Sequence, residues 1–585
     1  MVTNKYITRI ASVIMAAAVI LCLMASLFSD KLQEVYGNNA VTMKYESKLF
    51  NTDQIMDIDI LMDEDDWNNM LENAISEEYY SCNVVVNGKT FYSVGIRPKG
   101  NTSLSSIAND PDTDRYSFKL EFDHYIEGQT CYGLDKLILN NNYADATNMK
   151  EAIVYDMYQY LGVDASLYNY AKISVNGDYR GVYLALEAVE DSFMLRNYGT
   201  EDGNLYKPES MGIGGGVDGN GFPQKGEMSD GEDFPQKGEM PDGEDFPQKG
   251  EMPDGEDFPQ KGEMPDGEDF PQMGEAPNGE AADIKMGIMG GNGGADLNYT
   301  DDDLDSYSTI WDGEITDTDK KDHKRVVEAL KNISEGTDLE TYMDVDNILK
   351  YMAVHAFVVN DDSLSGTMAH NYYLYEYNGK LNILPWDYNL SFGGMSMGGK
   401  MGGQSSGATS VINDAIDTPF SITDFFDALL ENEEYLEQYH GYLNELVEKY
   451  VNGGEFEKTY ERIRSQIGDL VGNDPTAFYS YEEYEEAANM LIEVVQLRAK
   501  SVSGQLAGTI PSTGEGQQQD SSNLIDGSDI DLSVMGSFSG GGGGNEGQGK
   551  DNGFAGTPQP FDAGDVSPIS EEKADLQDSN QDSVK

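Results

Sequence analysis

The sequence predicts an α+β protein with a strand-rich first lobe and a helical second lobe. Residues 45–210 contain short runs of alternating apolar and polar residues joined by Asn-Gly pairs, a pattern typical of antiparallel strands. Residues 296–505 contain long segments with apolar residues at helical spacing. Between them, residues 211–295 are dominated by Gly, Pro, Asp and Glu, and we expect this segment to form no packed core.

The composition argues against several classes of protein. The 585 residues carry a formal net charge of −67, which excludes a general affinity for nucleic acid or for an anionic membrane surface. The five histidines do not cluster, and the three cysteines lack zinc-type spacing, so we expect no transition-metal site. Cys82 and Cys131 are predicted either to form one disulfide or to remain two buried thiols.

The N-terminus predicts export. Lys5 and Arg9 precede an apolar run, Ile10–Phe28, so residues 1–30 have the pattern of a signal peptide or of a single N-terminal membrane anchor. The run is long for a signal-peptide core and has no clean Ala-x-Ala site, which favours the uncleaved anchor. We therefore expect the rest of the chain to lie outside the cytoplasmic membrane.

The elements of the first lobe follow from its apolar spacing. "QIMDIDILM" and "YSFKLEF" alternate like strands, and in the second run Phe118, Leu120 and Phe122 share one face. "NVVVNGKTFYSVGIRPKGNTS" and "AKISVNGDYRGVYLALEAVE" are predicted hairpins around Asn-Gly pairs. "NMKEAIVYDMYQYLG" has helical spacing and stops at Gly162. Together they predict a mixed lobe with a mostly antiparallel sheet.

Residues 211–295 contain a short internal repeat. The tripeptide "FPQ" recurs with a period of 12 residues, at Phe222, Phe234, Phe246, Phe258 and Phe270. A unit this short and this poor in core residues cannot bury enough surface to offset its chain entropy, so we expect a disordered insert rather than a solenoid. The repeats are interpreted either as a segment that binds a partner or cations, or as a tolerated expansion of a surface loop.

The helical second lobe is interrupted by a hairpin with acidic residues at both ends. The segment "HNYYLYEYNGKLNILPWDYNLSFGG" places two aromatic-rich runs on either side of Asn378-Gly379. Asp361 and Asp362 precede this hairpin, and Asp387 follows it. Residues 506–585 are rich in Gly, Ser, Gln and Asp, and we expect a disordered tail without a second membrane span.

The acidic residues at the ends of the hairpin point to phosphoryl transfer. In protein kinases a catalytic Asp precedes a hairpin, and the far end of that hairpin supplies a second Asp for the metal that bridges the phosphates. Asp362, Asn371 and Asp387 have comparable positions here. Carboxylate and amide oxygens are ligands that magnesium prefers. We interpret the hairpin as a rigid spacer that gathers these side chains around one phosphate and its magnesium ion.

Seven motifs, in order along the chain, carry a resemblance to a known family. They are "IRPKGNTS", "SFKLEF", "ISVNGDYRGVYLALE", "NLYKPE", "VVNDDS", "HNYYLY" and "PWDYNLSFGG". Together they resemble the spore coat protein H (CotH) kinase family over roughly residues 50–505, the insert excluded. The resemblance implies an atypical protein-kinase-like fold. It also implies transfer of the γ-phosphate of ATP, with Mg²⁺ or Mn²⁺, to Ser or Thr of cell-surface or coat proteins.

The resemblance also assigns candidate site residues. Asp362 would orient the acceptor hydroxyl, with the adjacent Asp361 as its rival, and Asp387 and Asn371 would hold the metal. The other candidates would bind the nucleotide. They are Lys119 at the α- and β-phosphates, Glu151 as the partner that orients this lysine, Glu187 at a hinge beside the adenine, Lys207 as a second phosphate contact, and Arg97, Lys99, Gly100 and Asn101 in a loop over the phosphates.

Other interpretations of these residues stay open. The chain has no Val-Ala-Ile-Lys, His-Arg-Asp or Asp-Phe-Gly motif of ordinary kinases. Lys119 beside Glu121 is also typical of a solvated strand face, and Glu151 is also typical of a helix N-terminus. The alternative function is a non-catalytic, pseudokinase-type surface scaffold or adhesion protein whose acidic repeats bind cations. A third alternative is phosphoryl or nucleotidyl transfer to a different acceptor.

Overall fold

The strand-rich N-terminal region and the helical C-terminal region that the sequence predicts are both present in the computed structural model. The structure describes residues 40–208, 293–366, 368–395, 407–420 and 422–537. The apolar N-terminal run, the Phe-Pro-Gln repeats and the end of the tail lie outside the described residues. The predictions made for those segments therefore stay predictions.

The N-terminal region contains eight strands and five helices within the described residues. The strands are β1 (Met56–Leu61), β2 (Tyr80–Val86), β3 (Lys89–Lys99), β4 (Ser117–Glu121), β5 (Lys136–Asn140), β6 (Tyr168–Val175), β7 (Asp178–Glu187) and β8 (Asn204–Tyr206). The helices are α1 (Lys44–Lys48), α2 (Glu64–Glu72), α3 (Thr102–Ala108), α4 (Lys150–Leu161) and α5 (Asp191–Tyr198).

Strands β1 to β7 close into a barrel, and this corrects the kinase-like sheet that the resemblance implies. The strand order is β1-β2-β3-β4-β5-β7-β6, and β6 returns to pair with β1. This last pairing is parallel and places Met56 beside Ala171, whereas the other neighbouring strands are antiparallel. Closure leaves no unpaired edge in the barrel. The pairing of β1 with β6, which closes the barrel, joins distant parts of the chain, so no local sequence pattern predicts it.

The interior of the barrel is one of two apolar cores. Phe118, Leu120 and Phe122 all point into it, as their alternation in the sequence predicts, and each is at most 3% exposed. Ile58 of β1 and Val84 of β2 pack in the same core. The opposite face of β4 carries Ser117, Lys119 and Glu121, which lie outside the barrel core. The barrel interior is therefore filled by side chains, and the polar groups available for chemistry lie on its outer face and rim.

The three predicted Asn-Gly turns are confirmed. Asn87-Gly88 connects β2 to β3, Asn176-Gly177 connects β6 to β7, and Asn378-Gly379 connects the two strands of the acid-flanked hairpin. In each turn both residues have positive φ, 49–54° for the asparagines and 78–87° for the glycines. This backbone is the one that two-residue hairpin turns require, and Asn and Gly adopt it at the lowest cost.

The C-terminal region is mainly helical. Its helices, as far as the structure describes it, are α6 (Ser308–Asp312), α7 (Lys320–Ser334), α8 (Leu339–Tyr342), α9 (Val345–Val358), α10 (Ala408–Ile412), α11 (Asp427–Leu430), α12 (Glu433–Glu445), α13 (Glu455–Gly472), α14 (Tyr481–Leu506) and α15 (Gly514–Gln519). Strands β9 (Tyr372–Tyr377) and β10 (Lys380–Pro385) form the predicted hairpin. Strand β8 of the N-terminal region adds to its edge and pairs with β9.

A second apolar core joins the two regions. It contains outward-facing residues of β5, β6 and β7, such as Ile138 and Leu184, together with residues of α4 and of the buried helix α9. Arg115, in the loop before β4, adds a polar link. Its guanidinium donates to Asp474 Oδ2 at 2.7 Å and to the carbonyl of Val182 at 2.6 Å. The barrel is therefore fixed to the helical region by apolar packing and by one buried ion pair.

Defined structure extends past the predicted start of the disordered tail. Residues 507–537, which the composition assigns to that tail, are described and include α15 and a 3₁₀ turn, Leu532–Met535. Ile510 and Met535 are both buried. Composition fails here because a few apolar anchors and hydrogen bonds to the helical region hold a segment that is otherwise rich in Gly, Ser and Asp.

Two further findings bear on the sequence predictions. Cys82 and Cys131 are both buried free thiols, which is the second of the two alternatives stated for them. Among the described residues, which begin at residue 40, no helix is both long enough and apolar enough to span a membrane.

The buried ion pair between Arg115 and Asp474 is expected to contribute strongly to stability. Both side chains are 2% exposed, so Asp474→Ala leaves an uncompensated buried charge and should lower the free energy of unfolding by about 3–5 kcal/mol. Glu455→Ala, which removes the exposed partner of Lys458, is the control and should cost about 0–1 kcal/mol. Urea unfolding measures both. Equal costs for the two substitutions would contradict the assignment.

Candidate active site

The β9–β10 hairpin brings Asp362 and Asp387 into one local environment. Asp362 lies in the loop between α9 and β9, and Asp387 follows the last residues of β10. Tyr372, at the start of β9, pairs with Pro385, at the end of β10, so both carboxylates belong to the same end of the hairpin. Burial raises the pKa of Asp387, the Lys99 ammonium lowers it, and the nearby Asp362 carboxylate raises it again.

A hydrogen-bonded relay of three residues reaches this site from the barrel. Lys99 ends β3, Asn140 ends β5, and Glu151 lies in the first turn of α4. Lys99 Nζ donates to Asn140 Oδ1 at 3.1 Å. The amide nitrogen of Asn140 in turn donates to Glu151 Oε2 at 2.9 Å. One amide therefore connects a lysine and a glutamate that come from different elements.

The charges of the relay and of the hairpin end act on each other. The pKa of Glu151 is raised to about 8, mainly by burial and also by the Asp387 carboxylate, although the hydrogen bond from Asn140 and the charge of Lys99 oppose this rise. Burial lowers the pKa of Lys99, Asp387 opposes this shift, and the second lysine, Lys207, adds to it. Lys99, Glu151 and Asp387 thus form a single cluster of titratable groups that shift each other's pKa values, which is the environment in which functional groups are often found.

Lys207, which the sequence predicts as a second phosphate contact, lies at the same place. It follows β8, and its backbone N–H donates to the carbonyl of Gly313 at 2.7 Å. Its ammonium is 6.0 Å from the centre of the Tyr373 ring. The positive charge of Lys207 lowers the pKa of both Lys99 and Asp387. Two lysines therefore lie near the Asp387 carboxylate.

Lys119, the lysine chosen from the sequence, has a different partner. Its Nζ lies 2.5 Å from Glu190 Oε1, and Lys136 binds the other oxygen of the same carboxylate. Lys119 lies in the middle of β4, where it pairs with Arg97 rather than with the rim residue Lys99. The structure therefore brings Lys99, not Lys119, to Glu151. The sequence analysis includes Lys99 among the candidate residues, but assigns it to the loop over the phosphates rather than to the contact with Glu151.

Glu187 and Arg97 are engaged in ion pairs of their own. Glu187 is fully buried and accepts hydrogen bonds from Arg196 at 2.9 and 2.6 Å and from the hydroxyl of Tyr45 at 2.5 Å. Its backbone N–H donates to the carbonyl of Leu167 at 2.9 Å and is therefore not available for a hydrogen bond to adenine. Arg97 pairs with Glu77, in contact with the Tyr79 ring. Neither side chain joins the relay.

Gly100 and Asn101 form the turn that follows Lys99. Gly100 has a φ of 136°, and a Cβ there would lie 3.1 Å from Ser103 Oγ. Asn101 is exposed, and its carbonyl accepts from the N–H of Ser105 at 3.0 Å. The predicted loop over the phosphates is thus a tight turn into α3, and its link to the cluster is Lys99.

Two neighbouring residues orient the Asp362 carboxylate. His370 Nε2 lies 3.0 Å from Asp362 Oδ1. Asn371 Nδ2 donates to Asp362 Oδ2 at 3.1 Å and to its backbone carbonyl at 2.8 Å. Asp361 is exposed beside it. The sequence does not predict His370 as a site residue, although His370 begins the motif "HNYYLY" and directly precedes the predicted metal ligand Asn371.

Asn360 is a further polar residue that sequence reasoning missed. It is 1% exposed, and its Nδ2 approaches the backbone carbonyl of Asp387 at 3.4 Å. Its Oδ1 is buried and has no hydrogen-bond partner among the described residues. Buried amide oxygens are rarely left unpaired. Asn360 immediately precedes the predicted residues Asp361 and Asp362, and this adjacency is the feature of the sequence that could have identified it.

The oxygen donors of this site match the preferences of magnesium. Within the described residues, no group of three or more His, Cys, Asp or Glu side chains is arranged to hold a metal ion. Magnesium, however, is usually held by one or two carboxylates together with water and phosphate oxygens. The carboxylates of Asp387 and Asp362 and the unpaired Oδ1 of Asn360 are donors of this kind. The residues at this site therefore fit a magnesium ion.

A buried polar network connects the elements that carry these side chains. The hydroxyl of Tyr158, on α4, donates to the hydroxyl of Tyr388 at 2.6 Å. Tyr388, which follows Asp387, lies 3.1 Å from His355 Nδ1 on α9. His355 Nε2 lies 2.9 Å from Ser365 Oγ, in the loop that also contains Asp362. Burial lowers the pKa of His355 to about 3, so this histidine is neutral.

Comparison with known protein families agrees with this geometry. The family described as CotH kinase protein matches residues 96–258 and 272–502. The chain belongs to the CotH kinase family. The matched residues include Lys99, Glu151, Asp362 and Asp387. No curated protein matches the chain. Membership of the CotH kinase family indicates a kinase-like function and, in general terms, the use of ATP and a divalent metal.

The raised pKa of Glu151 predicts a pH-dependent stability. The folded CotH-family chain keeps a proton on Glu151 up to about pH 8, whereas an unfolded chain releases it near the ordinary value of 4.5. The free energy of unfolding should therefore fall as the pH rises from 4.5 to 8. Glu151→Gln should reduce this fall, as measured by urea unfolding across that range.

Glu445→Gln provides the control for this prediction. Glu445 is a partly exposed carboxylate paired with Lys449 on the protein surface, and its substitution should leave the pH dependence of the free energy of unfolding as it is in the wild type. A Glu151→Gln variant with the same pH dependence as the wild type would show that the carboxyl group of Glu151 is not protonated in the folded protein.

Proposed function

We propose that this protein is an exported, ATP- and magnesium-dependent Ser/Thr protein kinase of cell-surface or coat proteins. The observation that carries the proposal is the connection of Lys99 through Asn140 to Glu151 beside the Asp387 carboxylate. In protein kinases a strand lysine paired with a helix glutamate contacts the phosphates, and a nearby Asp holds the metal. The proposal includes an atypical, kinase-like arrangement of the two regions, with a closed barrel in the first.

Lys99 and Lys207 are proposed to bind the phosphates of ATP. Burial and the charge of Lys207 disfavour the ammonium form of Lys99. A bound triphosphate would bring negative charge to both lysines, and this interaction would be stronger than in bulk water because the lysines are half-buried. Glu151 and Asn140 hold Lys99 in place. Lys119, paired with Glu190, has no part in this step.

Asp362 is proposed to receive the proton of the acceptor hydroxyl. The hydroxyl oxygen of Ser or Thr forms a bond to the γ-phosphorus while the bond between this phosphorus and the bridging oxygen of ADP breaks. His370 and Asn371 hold the Asp362 carboxylate in a fixed direction. Because the transition state needs positioning rather than covalent catalysis, this orientation is the main contribution of the two residues.

Asp387, with Asn371 or Asn360, is proposed to hold the divalent ion. The ion would neutralise charge on the β- and γ-phosphates when bound. Burial and the proximity of Asp362 raise the pKa of Asp387, so a cation bound beside Asp387 would favour the charged form of its carboxylate. Asn360 Oδ1, which is buried and unpaired among the described residues, supports an oxygen-donor role for this amide.

Export and the class of acceptor are part of the proposal. The apolar run Ile10–Phe28 after two basic residues supports an N-terminal membrane association and action outside the cytoplasmic membrane. The family relationship supports Ser- or Thr-containing surface or coat proteins as acceptors. A non-catalytic scaffold would not require Lys99, Asn140 and Glu151 to be connected by hydrogen bonds near the Asp387 carboxylate. We therefore favour a catalytic function over a scaffold function.

Paired lysine substitutions test the proposed function. Lys99→Met should lower kcat/KM for ATP-dependent phosphorylation of a Ser-rich protein by about 10²–10³-fold, because the phosphates lose their main positive contact. Lys119→Met should leave kcat/KM within about threefold of the wild type, since Lys119 pairs with Glu190. Asp387→Asn should abolish transfer. The reverse order of the two lysine variants, or normal transfer in Asp387→Asn, would contradict the proposal.

A further inference from the structure

Residues 507–537 form a segment that is held by hydrogen bonds and buried side chains, and we call it the C-terminal strap. The family match ends at residue 502, so the strap lies beyond the part of the chain that the CotH kinase family shares. The strap includes α15 and the 3₁₀ turn Leu532–Met535. It contacts the segment around α10 and the loop before α4.

The first part of the strap is held by the segment around α10. Asn413 is 1% exposed, and its side-chain amide forms two hydrogen bonds with the backbone of Ile525, at 2.8 and 2.9 Å. The N–H of Gly527 donates to Thr409 Oγ1 at 2.9 Å, and the N–H of Gly514 donates to Thr418 Oγ1 at 3.0 Å. These contacts are specific because each uses a side chain of one segment and the backbone of the other.

The second part of the strap reaches the loop before α4. Met535 is 1% exposed in the core that joins the two regions, and its carbonyl accepts from the N–H of Ala146 at 3.1 Å. Gly536 has a φ of 81°, and a Cβ on it would lie 2.6 Å from the carbonyl oxygen of Ala144. Leu532 lies close to Gly393, in the loop after Asp387, since a Cβ on Gly393 would be 3.0 Å from Leu532 Cδ1.

The loop that the strap contacts sets the start of α4. Asp145 Oδ1 accepts from the N–H of Thr147 at 3.0 Å, and Asp145 Oδ2 accepts from the N–H of Lys150 at 3.0 Å. The next residue, Glu151, holds Asn140 and through it Lys99. A displacement of Ala146 would therefore be transmitted through Asp145 to the first turn of α4 and to the relay.

We propose that the C-terminal strap is a positioning element for the active site, which acts on Glu151 through Ala146 and Asp145 and on the Asp387 loop through Gly393. This inference rests on the proposed function, because the arrangement that the strap maintains is the one required for phosphoryl transfer. The strap is an intramolecular support that lies outside the residues matched by the family.

Two glycine substitutions in the full chain test the proposal. Gly536→Ala introduces a Cβ against Ala144 and Ala146 and should displace the end of the strap. Gly508→Ala is the matched control, since Gly508 also has a positive φ, 68°, but a Cβ there meets no atom within 4 Å. Both variants place alanine at a positive φ, and Gly536, whose ψ is 146°, has in addition a backbone conformation that is nearly restricted to glycine, so both the new Cβ and this backbone strain act at the end of the strap. Only Gly536→Ala should disturb the loop before α4.

Hydrogen exchange and kinetics provide the two measurements. Gly536→Ala should accelerate exchange of the Ala146 amide and of the first turn of α4 about tenfold relative to Gly508→Ala, because Met535 no longer accepts from Ala146. It should lower kcat/KM for ATP about tenfold, as expected when a catalytic group is slightly misplaced. Equal exchange in the two variants, or faster exchange with unchanged kcat/KM, would overturn the proposal.

Failure of the proposed kinase function and failure of the proposed role of the strap would give different results. An inactive wild-type protein would refute the proposed function, whereas the exchange of Ala146 tests the contact with the strap without any substrate. If Gly536→Ala does not fold, Gly527→Ala replaces it, because a Cβ on Gly527 would lie 2.8 Å from the backbone nitrogen of Thr409 and separate the strap from α10. The same increase in exchange at Ala146 is expected, and an unchanged rate would overturn the proposal.

Discussion

The hydrogen bonds from Asn140 to Lys99 and to Glu151 are the interaction on which the functional interpretation depends. They connect the rim of the barrel to the first turn of α4, and they place a half-buried lysine and a buried glutamate beside Asp387. A buried lysine and a buried glutamate are each costly in isolation. Their position together next to Asp387 is therefore most simply explained by a function that uses these titratable groups.

A second constraint is that three separate elements must keep a fixed relation to each other. The network from Tyr158 through Tyr388 to His355 joins α4, the residue after Asp387 and the helix before the Asp362 loop. Since His355 is neutral and buried, this network does not depend on a charge. The hairpin fixes Asp362 relative to Asp387, and the network fixes both relative to Glu151.

Local features of this structure were predictable, whereas those that depend on distant pairing were not. The Asn-Gly turns, the apolar face of Phe118 and the hairpin with Asp387 at its end follow from short-range patterns. The barrel closure does not, because it depends on the parallel pairing of Met56 with Ala171. Lys99 and Lys119 lie on the same face of neighbouring strands, and only the three-dimensional rim shows which lysine meets Glu151. For Asn360 and His370 the composition gave no separate signal.

Nucleotide binding by the metal-loaded site tests the central claim most directly. Titration calorimetry of the full-length protein with ATP should show binding that requires Mg²⁺ and that weakens by about 10²-fold or more in Asn140→Leu, because the amide that holds Lys99 against Glu151 is lost. Asn69→Leu, which removes a surface amide bonded to Tyr80, should bind ATP as the wild type does. Equal affinity of the wild type and Asn140→Leu, or binding that does not depend on Mg²⁺, would contradict the account.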